Sequence, residues 1–128
     1  MFSEKFSPLI KAFPQEADAL RRLANHFADI EREEGENVLQ VIMPPGRLYD
    51  ISQAGSTAHF AKVTTILVES GLFERKVVVR SPGGPAIHEY DNWFDCPLEV
   101  YDPVRDVTME VTDSDLETLY RVAKNGKN

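Results

Sequence analysis

Thiols are nearly absent: Cys96 is the only cysteine among 128 residues. One thiol allows no intrachain disulfide and no cysteine-rich zinc site. Histidine is scarce too, at positions 26, 59 and 88. No apolar run approaches the ~18 residues that a membrane span needs. The opening segment MFSEKFSPLIKAF carries acidic Glu4 and no long apolar stretch, so it is not read as a secretory leader. These absences lead to the expectation of a reduced, cytoplasmic protein with no membrane partner.

Catalytic signatures are missing as well. The chain contains no Gly-x-Gly-x-x-Gly, no Walker loop, no His-Glu-x-x-His and no Gly-x-Ser-x-Gly. In Ser-Pro-Gly-Gly-Pro (81–85) the flanking prolines remove amide donors, which makes it a poor phosphate cradle. His88 and Glu89 are adjacent, but neighbours on a strand point to opposite faces and do not share a site. No local signature pairs Cys96 with a histidine as a nucleophile. His26, beside Phe27, reads as a boundary residue. The expectation is therefore a non-enzymatic protein with no cofactor and no metal.

What is present is an ordinary globular composition, 42% hydrophobic and 27% charged, long enough for one domain with small appendages. The net charge of −7 should repel nucleic acid as a whole, but it is unevenly spread. Residues 1–36 carry −3 and residues 91–128 carry −5, whereas residues 47–90 carry +1.

Local pattern places the elements. Ser7 followed by Pro8 starts a short helix that Pro14 interrupts. In 15–36, Leu20, Leu23, Ala24, Phe27 and Ile30 recur at helical steps, acidic residues occupy the first turn, and Gly35 stops the helix. The run Asn37–Met43 is apolar and fits either strand or helix. Pro44-Pro45-Gly46 is a break, and 47–54 gives about two helical turns with Leu48 and Ile51 on one side. Ser56 is an N-cap for a second long helix, whose Phe60, Val63 and Leu67 form a buried stripe and whose His59, Lys62, Thr65 and Glu69 form a polar face. Gly71 suits a left-handed helix end, after which Leu72 or Phe73 folds back over it. Three consecutive valines, 77–79, suit a strand, and Ala86–Tyr90 returns as its hairpin partner.

This order, carried by GRLYDISQAGSTAHFAKVTTILVESGLFERKVVVRSPGGPAIHEY (46–90), resembles the winged helix-turn-helix family. The resemblance rests on the phrase Leu-x-x-x-Gly-Leu-φ-x-Arg, here Leu67 to Arg75. It implies an α+β fold, with the helix from Ser56 as recognition helix and 74–90 as wing. Three segments follow from it: N-terminal helices packing on the core (1–36), the winged-helix core (37–92) and a small acidic β-rich extension (93–128). The extension resembles a zinc ribbon without its thiols.

Two functions follow. In the first, the resemblance implies a small regulator of double-stranded DNA. Ser56, Thr57, His59, Lys62 and Thr65 would face the major groove, while Arg47, Arg75, Lys76 and Arg80 reach flanking phosphates. A homodimer through the N-terminal helices would bring two weakly basic faces to one duplex. In the second, the winged fold is a protein-interaction module without nucleic-acid binding, favoured by the acidic flanks. Trp93 and Phe94, on a loop, either cover the core or anchor a protein partner.

In the last segment, Leu98 and Val100 alternate, as do Val107, Met109 and Val111, with a turn at 102–106. Thr112 caps a helix over 113–122 with Asp113 and Asp115 in its first turn, or else 116–122 supplies the apolar residues of a third strand. Glu31–Glu36 (EREEGE) is expected to be a solvated acidic patch, and Lys124–Asn128 a frayed tail.

Overall fold

The computed structural model describes residues 1–123, so the tail reading of 124–128 lies outside the described residues. The chain is mixed α+β, with helices preceding an antiparallel sheet. Its helices are α1 (Ser7–Ala12), α2 (Ala17–Glu34), α3 (Pro45–Ser52) and α4 (Thr57–Glu69). Its strands are β1 (Ile42–Met43), β2 (Phe73–Arg80), β3 (Ala86–Tyr90), β4 (Glu99–Asp102), β5 (Val107–Glu110) and β6 (Leu116–Val122). Four of them form a sheet in the order β1-β6-β2-β3, and β4 pairs with β5 in a second, two-stranded sheet.

Two units divide the described residues: 1–74 with 121–123, and Arg75–Tyr120. These boundaries differ from the three segments 1–36, 37–92 and 93–128 read from the sequence. One reason is that Val79 of β2 shares a core with Val100 of β4 and Met109 of β5, which joins residues on both sides of position 92 in one unit.

The first unit is built around α2. Leu20, Leu23 and Phe27 of the expected stripe are fully buried, and Gly35 ends the helix with a positive φ of 61°. A 3₁₀ turn over Phe2–Phe6, unforeseen from the sequence, brings Phe2 and Phe6 against Phe27 and Phe73. Residues 35–43 resolve their ambiguity as both kinds of structure: a 3₁₀ turn over Gly35–Gln40, then β1.

The expected solvated patch is corrected at its first residue. Glu31 is buried, and its carboxylate accepts from the Phe2 amide (2.6 Å), the Ser3 amide (3.2 Å) and the Ser3 hydroxyl (2.5 Å). Burial alone would raise its pKa, but these donors and the nearby N-terminal charge outweigh it and hold the carboxyl below its ordinary range.

Residue Gln53 ends α3 in the left-handed region, φ 50° and ψ 46°. Arg22 of α2 donates Nε to the Ser52 carbonyl (2.9 Å) and Nη2 to the Gln53 carbonyl (3.3 Å), satisfying groups that a helix end leaves open. A left-handed backbone disfavours any residue with a Cβ. Gln53→Gly should therefore stabilise the fold by about 0.5–1 kcal/mol in urea denaturation, since the Arg22 bonds are to backbone and survive.

Helix α4 begins as its sequence dictates. The Ser56 hydroxyl oxygen accepts from the His59 amide at 3.1 Å. Val63 and Leu67 are fully buried, and Phe60 packs edge-on against Tyr49. Gly71 takes φ 85° and donates to the Val68 carbonyl, so the chain reverses and buries both Leu72 and Phe73.

In the second unit, β2 and β3 form the expected hairpin, with Val77 opposite Tyr90 and Val79 opposite His88. An irregularity follows Val79, where Arg80 pairs with Ala86. Val77, Val78 and Val79 are all buried, so β2 is covered on both faces there, while β6 and β3 pair with its two edges. The β4–β5 hairpin does not stand apart from the β2–β3 hairpin: Val100 and Met109 pack on Val79, with Ile87, Tyr90 and Leu116 around them. After a 3₁₀ turn over Asp113–Asp115, the open choice for 116–122 resolves as the strand β6.

Candidate functional site

Each surface is best judged by what its charges already touch. Within the second unit the cations expected to bind phosphate, on and beside the β2–β3 hairpin, are engaged. Arg75 donates Nε to the Tyr120 hydroxyl at 3.2 Å and lies 5.5 Å over that ring. Lys76 donates to Asp91 at 2.6 Å, and Arg80 donates to Glu117 at 2.6 Å. The unit's fourth cation, Arg105, donates to Asp102 at 2.7 Å. Residues 75–120 hold these four cations against ten carboxylates, a net charge of −6. Cross-chain partners such as Asp91 and Glu117 lie 15 and 37 positions away from their cations, a distance over which local pattern carries no signal.

Asp102 organises this unit's turns. It is fully buried and accepts from the Ser81 hydroxyl (2.7 Å), Arg105 Nε (2.7 Å) and the Val104 amide (2.9 Å). These donors overcome burial and bring its pKa down to about 2. One carboxylate thus ties the Ser81–Pro85 turn of the β2–β3 hairpin to the β4–β5 turn.

On that framework residues 93–98 present apolar side chains outward. Asn92 Oδ1 accepts from the amides of Phe94 (2.9 Å) and Asp95 (3.2 Å), capping a 3₁₀ turn over Trp93–Asp95. This cap fixes the backbone. Phe94 is 96% exposed, Trp93 52% and Leu98 84%. Tyr101, half-exposed on β4, donates its hydroxyl to Asp106. Of the two readings left open by the sequence, Trp93 and Phe94 therefore do not cover the core. Cys96, between them and β4, is partly buried, and burial pushes its thiol up, away from the reactive thiolate.

In the first unit α4 gathers the other expected contacts. Thr57, Lys62 and Thr65 are exposed along it. Ser56 is occupied as the cap. His59 points its Nδ1 at the buried Glu16 carboxylate, 3.8 Å away. Arg47 is exposed in the first turn of α3, and its charge joins burial in lowering the pKa of His26 on α2. His26 packs edge-on against Phe27, as a boundary residue does. Beside the exposed face of α4 lies an open groove of about 670 Å³, lined by Phe13, Ala58, Lys62, Thr65, Ile66 and Glu69, among others.

Comparison with known proteins places no other chain beside this one. No family model, curated protein or solved structure matches it. The chemistry of the surfaces therefore carries the functional reading. Among the described residues no three His, Cys, Asp or Glu side chains group as a metal site, and no helix is long and apolar enough to cross a membrane. His88 Nε2 lies 2.7 Å from the Tyr101 carbonyl oxygen, a bond that uses one ring nitrogen within the fold.

Proposed function

We propose that this chain is a non-enzymatic winged-helix module that binds a protein partner through the capped turn at Trp93–Leu98. The observation that carries this reading is the turn itself: Phe94 is almost wholly exposed, and its backbone amide is capped by Asn92 on a unit of net charge −6. Large aromatics dominate protein interfaces, and ordering the backbone that carries them in advance lowers the entropy lost on binding. The partner's complementary surface is an apolar pocket with a basic rim. Support for the winged-helix reading comes from the element order α2-β1-α3-α4-β2-β3 and the sharp stop at Gly71.

Duplex binding, by Arg47, Ser56, Thr57, His59, Lys62 and Thr65 with Arg75, Lys76 and Arg80, is the weaker reading. Phosphate contact by the wing would require Lys76 and Arg80 to leave carboxylates 2.6 Å away. Anisotropy of a labelled random duplex should show no saturable binding at about 50 mM salt, where phosphate neutralisation is strongest. Binding that falls steeply by about 200 mM salt would restore the DNA reading. Trp93 is the only tryptophan, so its emission reports the proposed surface directly. It should be quenched readily by acrylamide in the isolated protein and protected once the partner is bound. Phe94→Ala should weaken that complex at least about 30-fold, the loss of an interface hot spot. A complex indifferent to Phe94→Ala would sink the proposal.

A further inference from the structure

We infer that the exposed face of α4 is a homodimer surface, on which two copies of the helix pack antiparallel about a two-fold axis between Thr65 and Ile66. The residues along the groove carry their own complements. An axis at that point pairs residues whose numbers are equally spaced about it. Lys62 then faces Glu69 of the second copy and Ala61 faces Ser70, with exposed Thr65 beside the axis and Ile66, only 6% exposed, beneath it. All six line the groove.

Three features support this occupant. First, Lys62 and Glu69 are exposed, and neither takes part in an ion pair among the described residues. Seven residues apart, they stand on one face but are separated by about 10 Å along the axis, too far to pair within one helix. In an antiparallel pair the Lys62–Glu69 contact forms twice, once at each end, whereas a parallel pair would set lysine against lysine and glutamate against glutamate. Second, small side chains at Ala61 and Ser70, with Thr65 near the crossing, let two backbones approach closely. Third, a two-fold interface must be self-complementary, and this face is. The apolar stripe of α2, in contrast, is already buried within its own unit, leaving polar Arg21, Asn25, Asp29 and Arg32 outward. The N-terminal helices are therefore a poorer place for a second copy than α4.

Because the same face carries Lys62 and Thr65, dimerisation would cover two of the side chains otherwise aimed at a major groove. The inference does not depend on the partner-binding turn, which lies in the other unit.

Charge reversal tests it by sedimentation equilibrium on the full chain. The wild type should dimerise reversibly with concentration. Lys62→Glu should place Glu against Glu69 at both ends and weaken the dimer about tenfold, and Glu69→Lys should do the same. The double variant, Lys62→Glu with Glu69→Lys, should recover the wild-type dissociation constant within about twofold. All four proteins should keep the same circular dichroism, since both positions are exposed. A wild type that stays monomeric to about 0.5 mM would overturn the inference. So would single variants that associate as tightly as wild type, or a double variant as weak as either single.

Discussion

Phe27→Ala should destabilise the protein by about 3–5 kcal/mol, read as a lower urea midpoint with an unchanged slope. Phe27 is fully buried, and its ring centroid lies 5.3 Å from that of Phe2, 6.0 Å from Phe6 and 5.5 Å from Phe73. Truncation removes the hub of four aromatic rings drawn from the N-terminal turn, α1's approach, α2 and β2. The void has little means of closing, because α2 is held by its own hydrogen bonds on both sides of it. Domains of this size are stable by only about 5–15 kcal/mol, so the variant sits near the threshold of folding. Phe94→Ala is the matched control. It removes the same side chain from an almost fully exposed position and should change stability by less than about 0.5 kcal/mol. If Phe27→Ala cost less than about 1 kcal/mol, the aromatic cluster would not be the core.

Glu31→Ala should cost about 2–4 kcal/mol, although it deletes a charge from what the sequence presents as an acidic surface run. The loss leaves the buried Phe2 amide without its acceptor and frees the Ser3 hydroxyl. The N-terminal turn that seats Phe2 and Phe6 should then fray, which faster amide exchange at Phe2 and Ser3 would report. The pH dependence has a defined sign. Glu31 has a folded pKa below its ordinary 4.5, so its contribution is complete above about that pH and disappears as pH falls through the lower folded value. Asp102 behaves alike in the other unit. Its contribution is whole above its ordinary 3.8 and is lost as pH falls towards about 2. Asp102→Asn should lower the melting temperature by several degrees at neutral pH and less at pH 3, where the wild type has lost part of the same contribution. A constant difference across that range would mean that the charge of Asp102 is not what the Ser81 and Arg105 bonds depend on.

The sequence was most legible where structure is decided locally. The stripe of α2, the Ser56 cap, the Gly71 stop and the valine strand with its return partner each depend on residues a few positions apart. They all occur where expected. Long-range chemistry was not legible. Glu31 looks like its neighbours Glu33 and Glu34 in any local window. It is set apart only by amides 28 and 29 positions away. Arg75, Lys76 and Arg80 looked available because Asp91, Glu117 and Tyr120 come to them through the hairpin and β6. The apolar residues of 116–122 fitted helix or strand equally, and their place in the sheet beside β2 decided the matter. At Trp93 and Phe94 the sequence showed an aromatic pair on a loop but not its direction. The Asn92 cap and the packing of Val100 and Met109 on Val79 leave the pair outside the small core of its unit.

Site-specific photo-cross-linking at position 94 is the most direct test of the partner-binding turn. Phe94 would be replaced by p-benzoylphenylalanine in cells, with the same substitution at exposed Asp29 on α2 as the comparison. The expected result is a protein adduct of defined mass from position 94 that position 29 does not give. No adduct distinct from that of position 29, or adducts to nucleic acid alone, would contradict a protein-docking role for this turn.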